Sequence, residues 1–160
     1  IAIIVLVVLG MIGSITKNYK AFMYYHYVLI IGCISILVST YLYQQQVITP
    51  LVWMVVSGIG LYSCYVPFNG IFFDRMIATF KINGNVGFLI YIADAFGYLG
   101  SILILLYKNF GKGDISWLSF FTQALYFLAF IGLGITIYSF QFFKNKYKKP
   151  VQLKELVYEQ

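Results

Sequence analysis

Residues 86–107, VGFLIYIADAFGYLGSILILLY, decide how this chain folds, because they form a long apolar run that contains a single charged side chain, Asp94. About 20 apolar residues in a helix are enough to cross the roughly 30 Å of hydrocarbon in a bilayer. The run therefore predicts a membrane-spanning helix with one carboxylate near its middle.

The rest of the chain has the same character. Of its 160 residues, 61% are hydrophobic and 10% are charged, whereas a soluble domain carries about 25% charged residues. No Lys, Arg, Asp or Glu occurs from residue 21 to residue 73, or from 115 to 143. The sequence argues against a large soluble core and predicts an all-α, polytopic transmembrane helix bundle. About five spans are expected, at residues 1–13, 21–43, 51–73, 86–107 and about 115–142.

The two ends of the chain carry separate expectations. Residues 1–12 have no charged n-region and no small-residue cleavage site, so they are not a signal peptide. They resemble the end of a longer helix, and we expect the chain to be the last part of a larger protein and to have the missing N-terminal part as a partner. Residues 1–143 are predicted to form the bundle, and residues 144–160 a basic cytoplasmic tail.

The basic residues predict how the chain is oriented. All but two of its 11 Lys and Arg residues fall on one side of the predicted membrane: Lys17, Lys20, Arg75, Lys81, Lys144, Lys146, Lys148, Lys149 and Lys154. The other side has Lys108 and Lys112. Because basic residues collect in cytoplasmic loops, the C-terminus is expected in the cytoplasm of a multi-pass cell-membrane protein. The net charge of +6 then needs no nucleic acid, and anionic lipids are the nearer electrostatic partner.

Asp94 is the main candidate for a functional site. A carboxylate at the centre of a span costs about 2.5–3.5 kcal/mol on insertion scales and is tolerated in a cavity or beside a polar partner. Tyr91, Tyr98 and Ser101 recur with Asp94 at spacings of three and four residues, which places them on one face of a helix. Asp94 is expected either to couple protons or bind substrate, or to hold neighbouring helices together through hydrogen bonds.

Other polar residues in the spans are weaker candidates. Pro67 should kink the third span, since it has no N–H for the carbonyl of Ser63. Tyr65 and Asn69 lie near this kink, and Asn69 either lines a cavity or bridges helices. Gln123 is a lone amide in the last span and a further cavity candidate.

Two polar features lie near the ends of the predicted spans. Asp74 and Arg75 are an adjacent acid–base pair. One expectation is that the pair locks a closed conformation by binding a helix end in the other half of the protein. The alternative is that the pair only marks the end of a span. His26 is expected to be hydrated at the membrane interface, among tyrosines that prefer that region. In the fourth span, Gly97 and Gly100 predict close helix packing, with a flexing point as the alternative.

No cofactor or metal site is expected. Cys33 and Cys64 lie in apolar spans and are expected to act as small apolar side chains. One histidine and two separated cysteines give no metal-ligand spacing.

Two segments of the chain resemble a known family. The segments VPFNGIFFDRMIATF (66–80) and GFLIYIADAFGYLGSILILLYKNF (87–110) resemble a bacterial branch of the major facilitator superfamily (MFS) that is known only as a domain of unknown function. This resemblance implies the last five helices of a twelve-helix protein with two six-helix halves. The substrate of such a protein lies between the halves, near the middle of the membrane.

Three functions were compared. The leading expectation is a secondary transporter of an unknown small solute that works by alternating access, with proton coupling as an option. The alternative is a membrane scaffold or sensor that does not transport, in which polar residues only pack helices. An intramembrane enzyme is disfavoured, because the spans supply no paired acids, no Ser–Lys or Ser–His arrangement and no metal ligands.

Overall fold

The computed structural model describes residues 1–111 and 116–158, with side chains up to Lys148. Within these residues the protein is an all-α bundle without strands. Its helices are α1 (Ala2–Gly13), α2 (Asn18–Gln44), α3 (Pro50–Tyr65), α4 (Ile71–Phe80), α5 (Val86–Phe110) and α6 (Trp117–Tyr158), and a 3₁₀ turn (Val66–Asn69) joins α3 to α4. The predicted fold class is confirmed.

Four segments are long and apolar enough to cross a membrane. They are Asn18–Gln44, Pro50–Asn69, Val86–Phe110 and Trp117–Lys148, while α1 is a shorter apolar helix. Each predicted span therefore corresponds to an apolar helix, and the protein is membrane-embedded. The predicted start of the last span, near residue 115, falls on residues outside the described ranges.

The third span differs from its prediction of 51–73. Thr49 caps the start of α3 by accepting a hydrogen bond from the N–H of Val52 at 3.4 Å, and Pro50 at the first turn fits the helix there. The α-helix ends at Tyr65, and the chain continues in a 3₁₀ turn that contains Pro67. Because Pro67 cannot donate to the carbonyl four residues earlier, the last turn tightens and the helix stops instead of only kinking.

A new helix follows where a connector was expected. The predicted connector covered residues 74–85, but α4 runs from Ile71 to Phe80 and contains both Asp74 and Arg75. It ends at Lys81, which adopts a left-handed conformation with φ of 49°. Asp74 and Arg75 thus lie inside a short helix of their own, and their role as the boundary of a span stays a prediction.

Helix α2 lies at the centre of the packing and contacts α1, α3, α4 and α6. Its N-terminal half contributes most of the buried residues of the main core. The buried residues of this core are Val5, Leu9, Ala21, Phe22, Met23, Tyr25, Leu29 and Phe72. A second cluster joins Ile36 and Trp53 to Leu125 and Ala129 of α6.

Two glycines allow α2 and α3 to approach closely. A Cβ atom at Gly60 would lie 2.6 Å from Cγ1 of Ile36 and 2.8 Å from the carbonyl oxygen of Gly32. A Cβ atom at Gly32 would lie 2.8 Å from Sγ of Cys64. Among the described residues, no atom lies within 4 Å of a Cβ atom placed at Gly97 or Gly100, so the predicted close packing at these glycines does not occur within this part of the protein.

Helix α5 lies at the edge of the bundle. None of its residues is buried within the described part of the protein, and its main contacts are with α4 and the 3₁₀ turn. This loose packing leaves open space between α5 and the helices α3 and α6, which is where the candidate site lies.

Helix α6 continues beyond the predicted end of the bundle at residue 143. Its backbone is helical to Tyr158 without a break. The ring of Tyr147 stacks on Tyr19 at 3.6 Å between centroids, and Nζ of Lys146 lies 5.6 Å from the ring centroid of Phe80. The start of the predicted basic tail is therefore a helix that packs on α2 and α4. The division into a bundle and a tail stays a prediction.

Candidate functional site

The structure places Asp94 in a cavity between three helices. This cavity, which we call the Asp94 cavity, has a volume of about 700 Å³. Its lining consists of Leu61, Cys64, Tyr65, Phe68, Ala93, Asp94, Gly97, Tyr98, Ser101 and Leu128. These residues come from α3, the 3₁₀ turn, α5 and α6, so the cavity lies among elements that are distant in sequence.

The capped start of α5 fixes the register of Asp94. Asn85 accepts a hydrogen bond from the N–H of Gly87 at 2.8 Å, which is a standard N-cap arrangement. Asp94 then lies about two turns into the helix. Its side chain is half-buried, and it is the one charged residue in the cavity lining.

Four of the seven predicted site residues line this cavity together. Tyr98 and Ser101 share the face of α5 that carries Asp94, and Tyr65 approaches from the end of α3. The hydroxyl of Ser101 donates to the carbonyl oxygen of Gly97 at 2.9 Å, so its oxygen keeps free acceptor capacity. The spacing of polar residues along α5 thus identified one wall of the cavity.

The other three predicted residues lie elsewhere. Gln123 lines a second cavity of about 580 Å³ between α5 and α6, and Leu128 borders both cavities. Tyr91 is 78% exposed and is not in the lining, because it lies roughly a quarter-turn from the centre of the lined face at 3.6 residues per turn. Asn69 is exposed at the end of the 3₁₀ turn and is also outside the lining.

Sequence reasoning did not assign the other six of the ten lining residues to the cavity: Leu61, Cys64, Phe68, Ala93, Gly97 and Leu128. Phe68 and Cys64 face it across from α5, and Gly97 leaves its wall open because it has no side chain. Only the arrangement of α3, the 3₁₀ turn, α5 and α6 around the cavity reveals these residues. The one available signal was the position of Phe68 directly after Pro67, where the break in the helix turns the chain.

Arg75 holds the end of α1 and the start of α2 together. Its guanidinium donates to Oδ1 of Asn18 at 2.6 Å and to the carbonyl oxygen of Gly13 at 2.7 Å. Asp74 is exposed. Within the described part of the chain, it forms no ion pair with Arg75. Arg75 does bind a helix end, as the lock hypothesis required, but the end belongs to α1 of this chain.

The interpretation of His26 as a hydrated interface residue is wrong. Its side chain is 0% exposed and is surrounded by aromatic rings, among them Phe22 and Phe72. Nδ1 lies 2.9 Å from the carbonyl oxygen of Phe22, and Nε2 lies 3.1 Å from Oγ of Ser139. Since a carbonyl only accepts, Nδ1 carries the proton and the Ser139 hydroxyl donates to Nε2. The neighbouring tyrosines misled the prediction, because His26 lies on the inward face of α2.

The two cysteines come together between α2 and α3. Sγ of Cys33 lies 3.7 Å from Sγ of Cys64, and both are free thiols. Among the described side chains, no group of three His, Cys, Asp or Glu residues is placed to hold a metal ion.

Comparison with known proteins identifies the family of the chain. No curated protein and no solved structure matches it. Residues 1–146 match the model of one protein family, which is described as a family of unknown function, DUF5690. Because the match covers most of the chain, this protein belongs to the DUF5690 family.

Proposed function

We propose that this protein is part of a secondary transporter that carries a small solute across the cell membrane by alternating access. The Asp94 cavity is the solute-binding site in this proposal. The observation that carries it is the position of a single carboxylate in a cavity of about 700 Å³ between α3, α5 and α6.

The cost of a charge in the membrane supports this proposal. Ionisable residues inside membrane spans are rare and usually mark ion or substrate pathways or proton relays, because they must face a cavity or a partner. Asp94 lies in a helix that otherwise has no charged residue before Lys108. Tyr65, Tyr98 and Ser101 add hydroxyl groups to the same cavity, so a solute would find both charge and hydrogen-bonding groups there.

The proposed architecture is that of the MFS. The five apolar helices of this chain would be the last five of twelve, and the solute would bind between two six-helix halves near the middle of the bilayer. The face of α5 that carries Asp94, Tyr98 and Ser101 would border the pathway. The C-terminus would lie in the cytoplasm, by the distribution of basic residues.

Asp94 would also carry the coupling proton. Ionisable residues inside membrane spans often belong to proton relays, and a bound cationic solute would compete with a proton for the same carboxylate. Arg75, which ties α1 to α2, would act as a brace for the half that contains the cavity.

The experiment uses the full protein in sealed proteoliposomes that enclose a pH-sensitive dye. A panel of small solutes is added outside, and solute-dependent proton movement is recorded for the wild type and for Asp94→Asn. Asparagine keeps the size and most of the hydrogen-bonding capacity of Asp94 but cannot titrate. The proposal expects at least one solute to move protons with the wild type and none to do so with Asp94→Asn.

Asp74→Asn is the matched control, because it removes an exposed carboxylate outside the cavity. This control should retain wild-type proton movement. If Asp94→Asn inserts normally and moves protons as the wild type does, Asp94 is structural, and a scaffold or sensor that does not transport becomes the better account.

A further inference from the structure

We propose that the Asp94 cavity binds a monovalent organic cation with an apolar body, such as a hydrophobic amine or a quaternary onium ion. This inference rests on the proposed transport function and names the class of solute that it serves. It follows from the charge, the aromatic side chains and the size of the cavity, which are independent observations.

The first observation is the charge of the lining. Asp94 is its one charged residue, and the lining contains no Lys, Arg or His. The other titratable side chains that face the cavity are Cys64 and Tyr65 from α3 and Tyr98 from α5, and α6 contributes only Leu128. Thiol and phenol groups are uncharged near neutral pH, so the cavity has a single negative charge and no built-in cation to balance it.

An anion is disfavoured on the same ground. It would meet the carboxylate without any basic group in the lining to offset the repulsion between like charges. A divalent metal ion is also disfavoured, because such ions take several oxygen ligands and this lining offers one carboxylate. A monovalent cation is the charge that the site matches.

The second observation is the aromatic content of the cavity. Phe68, Tyr65 and Tyr98 line it from two sides, the first two from the α3 end and the third from α5. The faces of aromatic rings attract cations, and this attraction is strongest when water is excluded. Onium groups, which hydrogen-bond poorly and carry apolar substituents, gain more from such rings than small hydrated ions do.

The third observation is the size and the polarity of the cavity. A volume of about 700 Å³ is in the range of pockets that hold drug-sized molecules, about 300–1,000 Å³. A bare Na⁺ would leave most of it empty. Leu61, Ala93 and Leu128 give the remaining walls an apolar character, which suits hydrocarbon substituents on the cation and disfavours sugars, since these need many hydrogen bonds.

The test measures binding of radiolabelled tetraphenylphosphonium to the purified full protein in detergent by equilibrium dialysis. Empty micelles give the background, and Asp94→Asn is compared with the exposed-carboxylate control Asp74→Asn. We expect saturable binding to the wild type and to Asp74→Asn, and binding about tenfold weaker or more to Asp94→Asn. Tyr98→Ala should weaken binding, whereas Tyr98→Phe should retain it, because phenylalanine keeps the ring face.

Two measurements on the wild type keep the inference testable if a variant fails to fold. Lowering the pH should weaken the binding of tetraphenylphosphonium, because protons and the cation compete for the same carboxylate. Tetraphenylborate, which has nearly the same shape but a negative charge, should not compete. Equal binding by Asp94→Asn and the wild type, or equal competition by tetraphenylborate, would overturn the inference.

The outcome separates this inference from the transport proposal. Charge-selective binding that depends on Asp94, without uptake in proteoliposomes, would leave the cation site in place and remove the transport function. Proton movement that depends on Asp94 with some other class of solute, without tetraphenylphosphonium binding, would retain transport and overturn the cation class.

Discussion

The surroundings of single residues in this protein differ from those that their sequence neighbours indicate. Arg75 follows Asp74 directly in the chain, yet the two side chains have different surroundings: Asp74 is exposed, and Arg75 reaches across to Asn18 and Gly13. His26 is flanked by tyrosines but lies buried against Phe22 and Ser139. In both cases the helix face, and not the position in the sequence, determines the environment of the residue.

Arg75→Met is predicted to destabilise the protein. It removes two hydrogen bonds from a charged donor, each of which contributes about 1.5–3 kcal/mol, and it leaves the Gly13 carbonyl and the Asn18 amide without that partner. Arg75→Lys should be intermediate, because one ammonium cannot reproduce the fork of a guanidinium. The measurement is the thermal unfolding midpoint in detergent by circular dichroism.

The neighbouring carboxylate provides the control for this prediction. Asp74→Asn changes an exposed side chain and should alter stability by no more than about 0.5 kcal/mol. A similar unfolding midpoint for Arg75→Met, Asp74→Asn and the wild type would contradict the bracing role of Arg75. A role in gating would be supported separately if Arg75→Met made cavity cysteines more accessible from the cytoplasmic side.

At the scale of helices, the packing is divided between a tight centre and a loose edge. Helices α2 and α3 approach closely at Gly32 and Gly60, whereas α5 has open space beside Gly97 and Gly100. Small residues permit close approach in membranes, but they do not enforce it. The same residue type therefore serves two purposes in this bundle: contact at one crossing and an open cavity wall at the other.

A pair of glycine substitutions tests this difference. Gly60→Ala should destabilise the protein by about 1–3 kcal/mol, because the added methyl group would lie 2.8 Å from the carbonyl oxygen of Gly32, which is fixed by its helix. Gly100→Ala should be neutral or slightly stabilising, since alanine favours a helix over glycine by about 0.5–1 kcal/mol and meets nothing within 4 Å. The measurement is the thermal unfolding midpoint of each variant. An equal loss of stability in the two variants would contradict the described packing.

The sequence was sufficient to predict the helices but not how they pack. Hydrophobic runs predicted the fold class and the apolar helices, because helix length in a membrane follows from bilayer thickness. The spacing along α5 also placed Tyr98 and Ser101 on the face that carries Asp94. Contributions from other helices, such as Phe68 and Leu128, depend on how those helices pack, and no pattern within one helix contains that information.

The third span shows a second limit of sequence reasoning. Pro67 predicted a kink within the third span, whereas the α-helix stops before it. The structure ends α3 at Tyr65 and begins α4 at Ile71, so residues that appeared to follow a span lie within a separate helix. Whether the helix bends or stops depends on the local turn geometry and on the packing of Phe72 into the core. The turn geometry and this packing are properties of the folded protein.

For the whole molecule, the basic residues predict the orientation in the membrane. Cysteines would be introduced singly at Gln45 and Lys148, both exposed, in a protein with Cys33→Ala and Cys64→Ala. In intact cells, a membrane-impermeant thiol reagent should label the site at 45 but reach the site at 148 only after permeabilisation. Labelling of the site at 148 in intact cells would reverse the predicted topology.

The proposed solute pathway through the Asp94 cavity can be tested without a known solute, by measuring how accessible the cavity is from each side of the membrane. Ser101→Cys, in the same background without native cysteines, places a thiol in the cavity lining, and Leu99→Cys, two residues away, places one outside it. An impermeant cationic thiol reagent is applied to sealed vesicles of each orientation, and the modification rate is measured. The account predicts that Ser101→Cys reacts from both sides of the membrane and that Leu99→Cys reacts from neither. Failure of Ser101→Cys to react from either side, in a correctly inserted protein, would contradict a solute pathway through this cavity.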